Sequence, residues 1–170
     1  MKLEEVILGT GNYEFTETGN RLSIDKDGGN SWCFYGNTYK KLAPELSTYR
    51  QFVKSYRKLQ SIKKETEEYI RFKKQIEDEF IKNYYKSTLR KLNADKLLED
   101  LNREFGKDII LLTNEDIFEF SHRRLVADYI ELETGIYIPE VIVSREGKVR
   151  EYVPRSYKDR LQRVIEKDEN

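Results

Sequence analysis

Ser121, His122, Arg123 and Arg124 stand in succession where an apolar periodic segment begins, and Thr113 and Glu115 precede them by a few residues. His122 is the one histidine of the chain. It is therefore the obvious side chain for proton transfer near neutrality. Glu115 could act as a second proton acceptor or orient an arginine. Adjacent arginines beside a serine at a helix start suit an anion. The first N–H groups of a helix are unpaired, the helix end carries about half a positive charge, and a guanidinium can hold a phosphate bidentately. The expected chemistry is thus the binding of a phosphate-bearing ligand, a nucleotide or a nucleic-acid end, by Thr113, Ser121, Arg123 and Arg124. His122 and Glu115 are the candidate acid and base. Tyr39, Lys40 and Lys41 would add stacking and positive charge. On this reading Arg123→Ala weakens ligand binding and leaves the fold intact.

A purely structural account of the same residues stands beside it. Cations in the first turn of a helix are repelled by its dipole, by about a few tenths of a kcal/mol each. Glu115, Asp116 and Glu119 in the preceding loop could neutralise the arginines in a surface salt-bridge cluster worth little, and His122 could serve only as a hydrogen-bonding group. A metal centre is not expected: one histidine, one distant cysteine and scattered carboxylates show no recognisable ligand spacing. No cofactor motif is present.

The elements that must position these residues follow from composition and periodicity. At 170 residues the chain is the size of one domain, read as 1–170. Its 31 basic residues balance 31 acidic ones, so a polyanion could be attracted only by a local concentration of charge. Cys33 is the single cysteine, which excludes an intramolecular disulfide and fits a reducing setting. No apolar run approaches the roughly 20 residues of a membrane span, and a cytoplasmic protein is expected.

Short strands are expected up to residue 40, with a hairpin across Asp27 to Asn30. Pro44 is expected in the first turn of a helix on which Tyr49, Phe52, Val53, Tyr56 and Leu59 share one face. Phe72, Ile76, Phe80 and Tyr84 step by four along a second, longer helix. A third runs from an Asn93 cap to a left-handed Gly106. Asp108 to Thr113, DIILLT, reads as the buried central strand of a sheet. A helix capped by Ser121 and closed by Gly135 follows it. A hairpin turning at Glu146 and Gly147 and a final helix opened by Ser156 with Asp159 complete the chain. The expectation is a single α/β domain with a small sheet and a helical excursion over residues 44–106. In such folds ligands bind beyond the carboxyl ends of the strands, where residues 113–124 would sit.

The aromatic segment leading to YKKLAP, then helices, then IILLTNEDIFEFSHRRLVADYIELETG and IPEV resemble the family known as domain of unknown function 488. The resemblance runs from about Trp32 to Val141. It implies a strand ending in Leu-Leu-Cys and a helix opened by Phe-Cys-His-Arg. Phe120, His122 and Arg123 match, while Thr113 and Ser121 stand at the cysteine positions. Thiol chemistry at those two positions is therefore not expected, and the serine hydroxyl can still cap the helix. The family's bacterial and phage setting suggests a cytoplasmic role near nucleic acid or a mobile element. A second functional class stays open. The charged, tyrosine-bearing helices of residues 46–92 could dock on a protein partner with no small ligand involved.

Overall fold

In the computed structural model, which describes residues 2–26 and 34–170, a six-stranded sheet carries helices on one face. The chain runs β1 (Ile7–Asn12), β2 (Asn20–Ser23), β3 (Asn37–Thr38), α1 (Leu46–Leu59), α2 (Glu67–Ser87), α3 (Ala94–Phe105), β4 (Ile109–Thr113), α4 (His122–Thr134), β5 (Glu140–Val143), β6 (Val149–Tyr152) and α5 (Lys158–Glu169). The strand order is β3-β2-β4-β1-β5-β6. All pairings are parallel except that of the edge strand β6 with β5. The expected α/β domain with a central strand and a helical middle is present. No helix among the described residues is long and apolar enough to cross a membrane.

β4 is buried at every position, as its continuous apolar run requires when both faces are covered. The period of two divides its side chains. Ile109 and Leu111 join the large cluster beneath the helices, while Ile110 and Leu112 join a smaller one on the opposite face with Tyr13, Phe34, Val141 and Val143. Thr113 therefore points to the helix side. On the neighbouring strands Thr10 lies opposite Leu111, and Glu140 lies opposite Thr10. One row across β4, β1 and β5 thus faces α4, and its β1 and β5 members are polar.

β1 passes through Gly9 because β5 comes very close. A Cβ there would lie 2.7 Å from Val141 Cγ1 and 2.9 Å from the Pro139 carbonyl oxygen. Asn93 caps α3 by accepting from Lys96 N–H, and Ser121 caps α4 by accepting from Arg123 N–H, as expected. Gly135 ends α4 in the left-handed conformation. Gly106 does have a positive φ, 90°, but its ψ of −151° leaves the left-handed helical region for one open essentially to glycine.

The hairpin expected across Asp27 to Asn30 lies outside the described residues, and β2 pairs in parallel with the later strand β3, Leu22 opposite Asn37. Two expectations are corrected. Pro44 precedes α1, which Glu45 leads into, because the helix begins only at Leu46. α5 begins at Lys158 with Tyr157 at the cap position, and Asp128 of α4 accepts the Tyr157 N–H at 2.7 Å. Ser156 Oγ accepts the Lys158 N–H at 3.3 Å from one position before the cap, and the Asp128 carboxylate of a packed neighbour holds the cap residue itself.

Candidate functional site

The carboxyl ends of β2 and β4 are adjacent because the two strands pair in parallel, with Ser23 opposite Leu112. Asp25 follows β2 by two residues and Glu115 follows β4 by two. His122 opens α4, which crosses above them. Ligand-capable atoms of Asp25, Glu115 and His122 all lie within 4.8 Å of one another.

Asp25 and His122 are each held through one polar atom that leaves the other unused. Asp25 Oδ2 accepts from the Tyr13 hydroxyl at 2.8 Å and from Asn114 N–H at 2.9 Å. No bond falls on Oδ1 among the described residues. His122 Nε2 lies 2.7 Å from the Ile24 carbonyl oxygen. A carbonyl can only accept, so Nε2 carries a proton, and in the neutral ring Nδ1 holds the lone pair. The imidazole also packs edge-on against Tyr84, with centroids 5.5 Å apart. Glu115 Oε1 is sealed from solvent with no hydrogen-bond partner among the described residues. Burial pushes the Asp25 carboxyl above the ordinary aspartate range. His122 pulls it back and Glu115 adds to the rise, while the bonds from Tyr13 and Asn114 also favour the charged form. Burial likewise raises the Tyr13 hydroxyl, and the neighbouring Asp25 charge reinforces this.

The arginines do something else. Arg123 is 1% exposed, and its Nε donates to Glu140 Oε1 at 3.0 Å. Its Nη1 reaches Thr113 Oγ1 and the Glu115 carbonyl, each at 2.7 Å, and Ser121 Oγ at 3.3 Å; its Nη2 reaches the Asp116 carbonyl at 3.1 Å. Arg124 is 3% exposed, and its Nη1 donates to Thr10 Oγ1 at 2.7 Å and to the Ile138 carbonyl at 2.9 Å. Its Nη2 stands 3.9 Å from Asp128 Oδ1. Both guanidinium groups are turned into the polar row of the sheet and away from solvent. Arg123 is filled by protein acceptors. Their geometry makes them the mortar between α4, the sheet and the 114–116 loop.

The surface salt-bridge alternative is corrected in its partners. Among the described residues no ion pair joins Arg123 or Arg124 to Glu115, Asp116 or Glu119. Backbone carbonyls of Glu115 and Asp116 serve Arg123 instead, and Glu119 accepts the Asp116 N–H at 2.8 Å. Burial raises the Glu140 carboxyl and lowers Arg124, in each case against the attraction of oppositely charged neighbours.

Thr113 and Ser121 are buried and their hydroxyl oxygens lie 2.7 Å apart. Tyr39 is buried in the core, edge-on to Phe105 at 6.1 Å. Lys40 and Lys41 are exposed on the following turn, and no hydrogen bond or ion pair links them to the cluster among the described residues.

Against known proteins, the family model "Domain of unknown function DUF488" matches residues 20–130, more than half of the chain. The chain belongs to the DUF488 family. No curated protein and no solved structure matches it. The DUF488 segment spans β2 to α4 and so carries Asp25, Glu115 and His122 together. Glu140, the carboxylate partner of Arg123, lies beyond it.

Sequence reasoning missed Asp25 and Glu140. Asp25 closes the half-buried pattern Arg21 to Asp25, so the rule that placed Glu115 beyond the end of β4 applies equally to it. Glu140 interrupts the apolar run IPEVIV, and a carboxylate inside a buried strand needs a cation, which His122-Arg123-Arg124 supplies.

Proposed function

We propose that this DUF488 chain binds a small phosphate-bearing ligand at the carboxyl edge of its sheet and carries out acid–base chemistry on it with His122. The observation that carries this reading is the convergence of Asp25, Glu115 and His122 beyond adjacent parallel strands and at the start of α4. His122 is fixed in one tautomer by Ile24, so Nδ1 is the proton acceptor. Asp25, held by Tyr13 and Asn114, would stabilise the imidazolium that results, and Glu115 is the second acceptor. The N-terminus of α4 supplies the favourable field for a phosphate. Arg123 and Arg124 support the site from behind by holding α4 and the 114–116 loop on the sheet. They are not its anion clamp.

The test is a thermal-shift panel of phosphate, mononucleotides, dinucleotides and short oligonucleotides on the wild type and on His122→Asn and Glu115→Gln. A ligand at about a hundred times its dissociation constant adds roughly 2.7 kcal/mol of stability. For a domain of this size that corresponds to about 5 to 10 °C. A shift confined to the wild type is the expected result. A shift of equal size in both variants removes the cluster from the ligand site, and none with any compound removes the phosphate ligand.

A further inference from the structure

Asp25, Glu115 and His122 come from three separate stretches of chain, yet no hydrogen bond or ion pair joins any two of them among the described residues. They face one another as three donors rather than as partners. Asp25 and His122 are oriented through Oδ2 and Nε2, which leaves Asp25 Oδ1 and, in the neutral ring, His122 Nδ1 with unused lone pairs. Glu115 Oε1 is buried with no partner among the described residues. A sequestered, unpaired carboxylate oxygen is costly, and this one belongs to a residue that has a ligand-capable atom within 4.8 Å of those of Asp25 and His122, with no positive centre shared among them. Neither nearby arginine supplies one, since Arg123 is paired with Glu140 and Arg124 faces Thr10, Ile138 and Asp128.

We propose that Asp25, Glu115 and His122 bind one divalent first-row transition ion, of the class of Zn2+ or Mn2+. One imidazole and two carboxylates form a borderline donor set suited to such ions. Ligand atoms around one ion stand roughly 3 to 4 Å apart at bond lengths near 2.1 Å, so atoms within 4.8 Å of one another need to approach by about 1 to 2 Å at most. The Ile24 carbonyl behind Nε2–H is the outer contact that commonly aims a ligating histidine and fixes its tautomer. Three protein ligands leave positions open for water or a phosphate oxygen. A cation there also reconciles an anionic ligand with a mouth formed by two carboxylates. The inference rests on the reading of this cluster as the ligand site and replaces its acid–base step: with an ion on Nδ1, His122 is a ligand and cannot take a proton there, so an ion-bound water would be the acid–base group. It reverses the expectation, drawn from spacing, that the chain holds no metal.

The experiment uses the untagged full chain, stripped with a chelator and titrated separately with Zn2+, Mn2+ and, as control, Mg2+. Because His122 is the one histidine, its imidazole resonances report this site alone. Zn2+ should shift those resonances and Mn2+ should broaden them, with saturation at one equivalent by calorimetry. Glu115→Gln and Asp25→Asn should each weaken the affinity at least tenfold. Circular dichroism of the metal-free variants checks folding. If Asp25→Asn unfolds, Glu115→Gln still decides, since its Oε1 has no bond to lose. Absence of stoichiometric uptake up to millimolar ion, or uptake undiminished in the folded variants, overturns the proposal. Metal binding without any nucleotide shift would sink the phosphate reading and leave the metal site standing. A nucleotide shift that persists with chelator, together with no metal uptake, would do the reverse.

Discussion

Arg123→Ala separates a ligand-gripping arginine from a structural one. Arg123 and Glu140 are each 1% exposed and form an ion pair at 3.0 Å. Removing the guanidinium leaves the Glu140 carboxylate buried, with one hydroxyl contact from Thr10 at 3.4 Å and Arg124 as the nearest remaining cation on that row. Breaking a buried pair from one side costs about 3 to 5 kcal/mol. The carbonyls of Glu115 and Asp116 lose a donor as well, although their loop can turn them toward water. Against a total stability of about 5 to 15 kcal/mol, the variant should be marginal, with a melting temperature lower by roughly 6 to 20 °C. Urea denaturation followed by circular dichroism gives the free energy directly. The decisive comparison is the double variant Arg123→Met with Glu140→Leu, which removes both charges and keeps the volume filled. It should recover most of the loss, since replacing a whole buried pair by apolar side chains is often neutral or stabilising. Arg123→Ala within about 1 kcal/mol of wild type would refute the claim that this pair joins α4 to β5, and would return the arginine to the surface role expected from the sequence alone.

Two further outcomes follow from the packing. Gly9→Ala places a methyl group 2.9 Å from the Pro139 carbonyl oxygen, the acceptor of Thr10 N–H, so β5 must shift. The loss should be about 1 to 3 kcal/mol by denaturation, and an unchanged midpoint would show that β5 yields without cost. Asp128 is the second case: burial raises its carboxyl, against the Tyr157 N–H and Arg124. A raised carboxyl contributes stability while protonated, fully below its unfolded value of about 3.9, and loses it as pH rises through the folded value. Asp128→Asn keeps an acceptor for Tyr157 and removes the titration. Its stability should therefore fall less than that of the wild type between pH 4 and pH 7, and identical profiles would show that Asp128 titrates normally.

The parts of the fold legible in the sequence are those set by local rules. DIILLT could be read as the central strand because a strand covered on both faces has no polar side to reveal. Asn93 and Ser121 could be read as caps because their side chains bond N–H groups two or three residues on. His122 and Glu115 could be placed near one another because β4 and α4 are consecutive. What could not be read depends on which strands become neighbours. Asp25 joins the cluster only because β2 lies beside β4, and Glu140 meets Arg123 only because β5 lies beside β1. The arginines were misplaced for the same reason. A helix-start arginine is ordinarily solvated, and nothing within its own segment discloses a carboxylate 17 residues away across a strand.

The burial of the arginines changes what the helix start can attract. Two cations at the N-terminus of α4 invite an anion only if their charge reaches solvent. Here Glu140 lies against one and Asp128 faces the other, and both guanidinium groups point into the sheet. Thr113 and Ser121 complete that arrangement, since each hydroxyl accepts from Arg123 Nη1 while the two share a hydrogen bond. The resemblance leads to cysteines at these positions, and the hydroxyls here serve as neutral acceptors inside the support of the site. What remains uncompensated beside His122 is acidic: Asp25, and the buried Glu115 oxygen that has no partner among the described residues. That imbalance is what the proposed metal ion would offset. The histidine motif that reads as an anion clamp in one dimension is, in three, the scaffold behind a carboxylate and imidazole cluster.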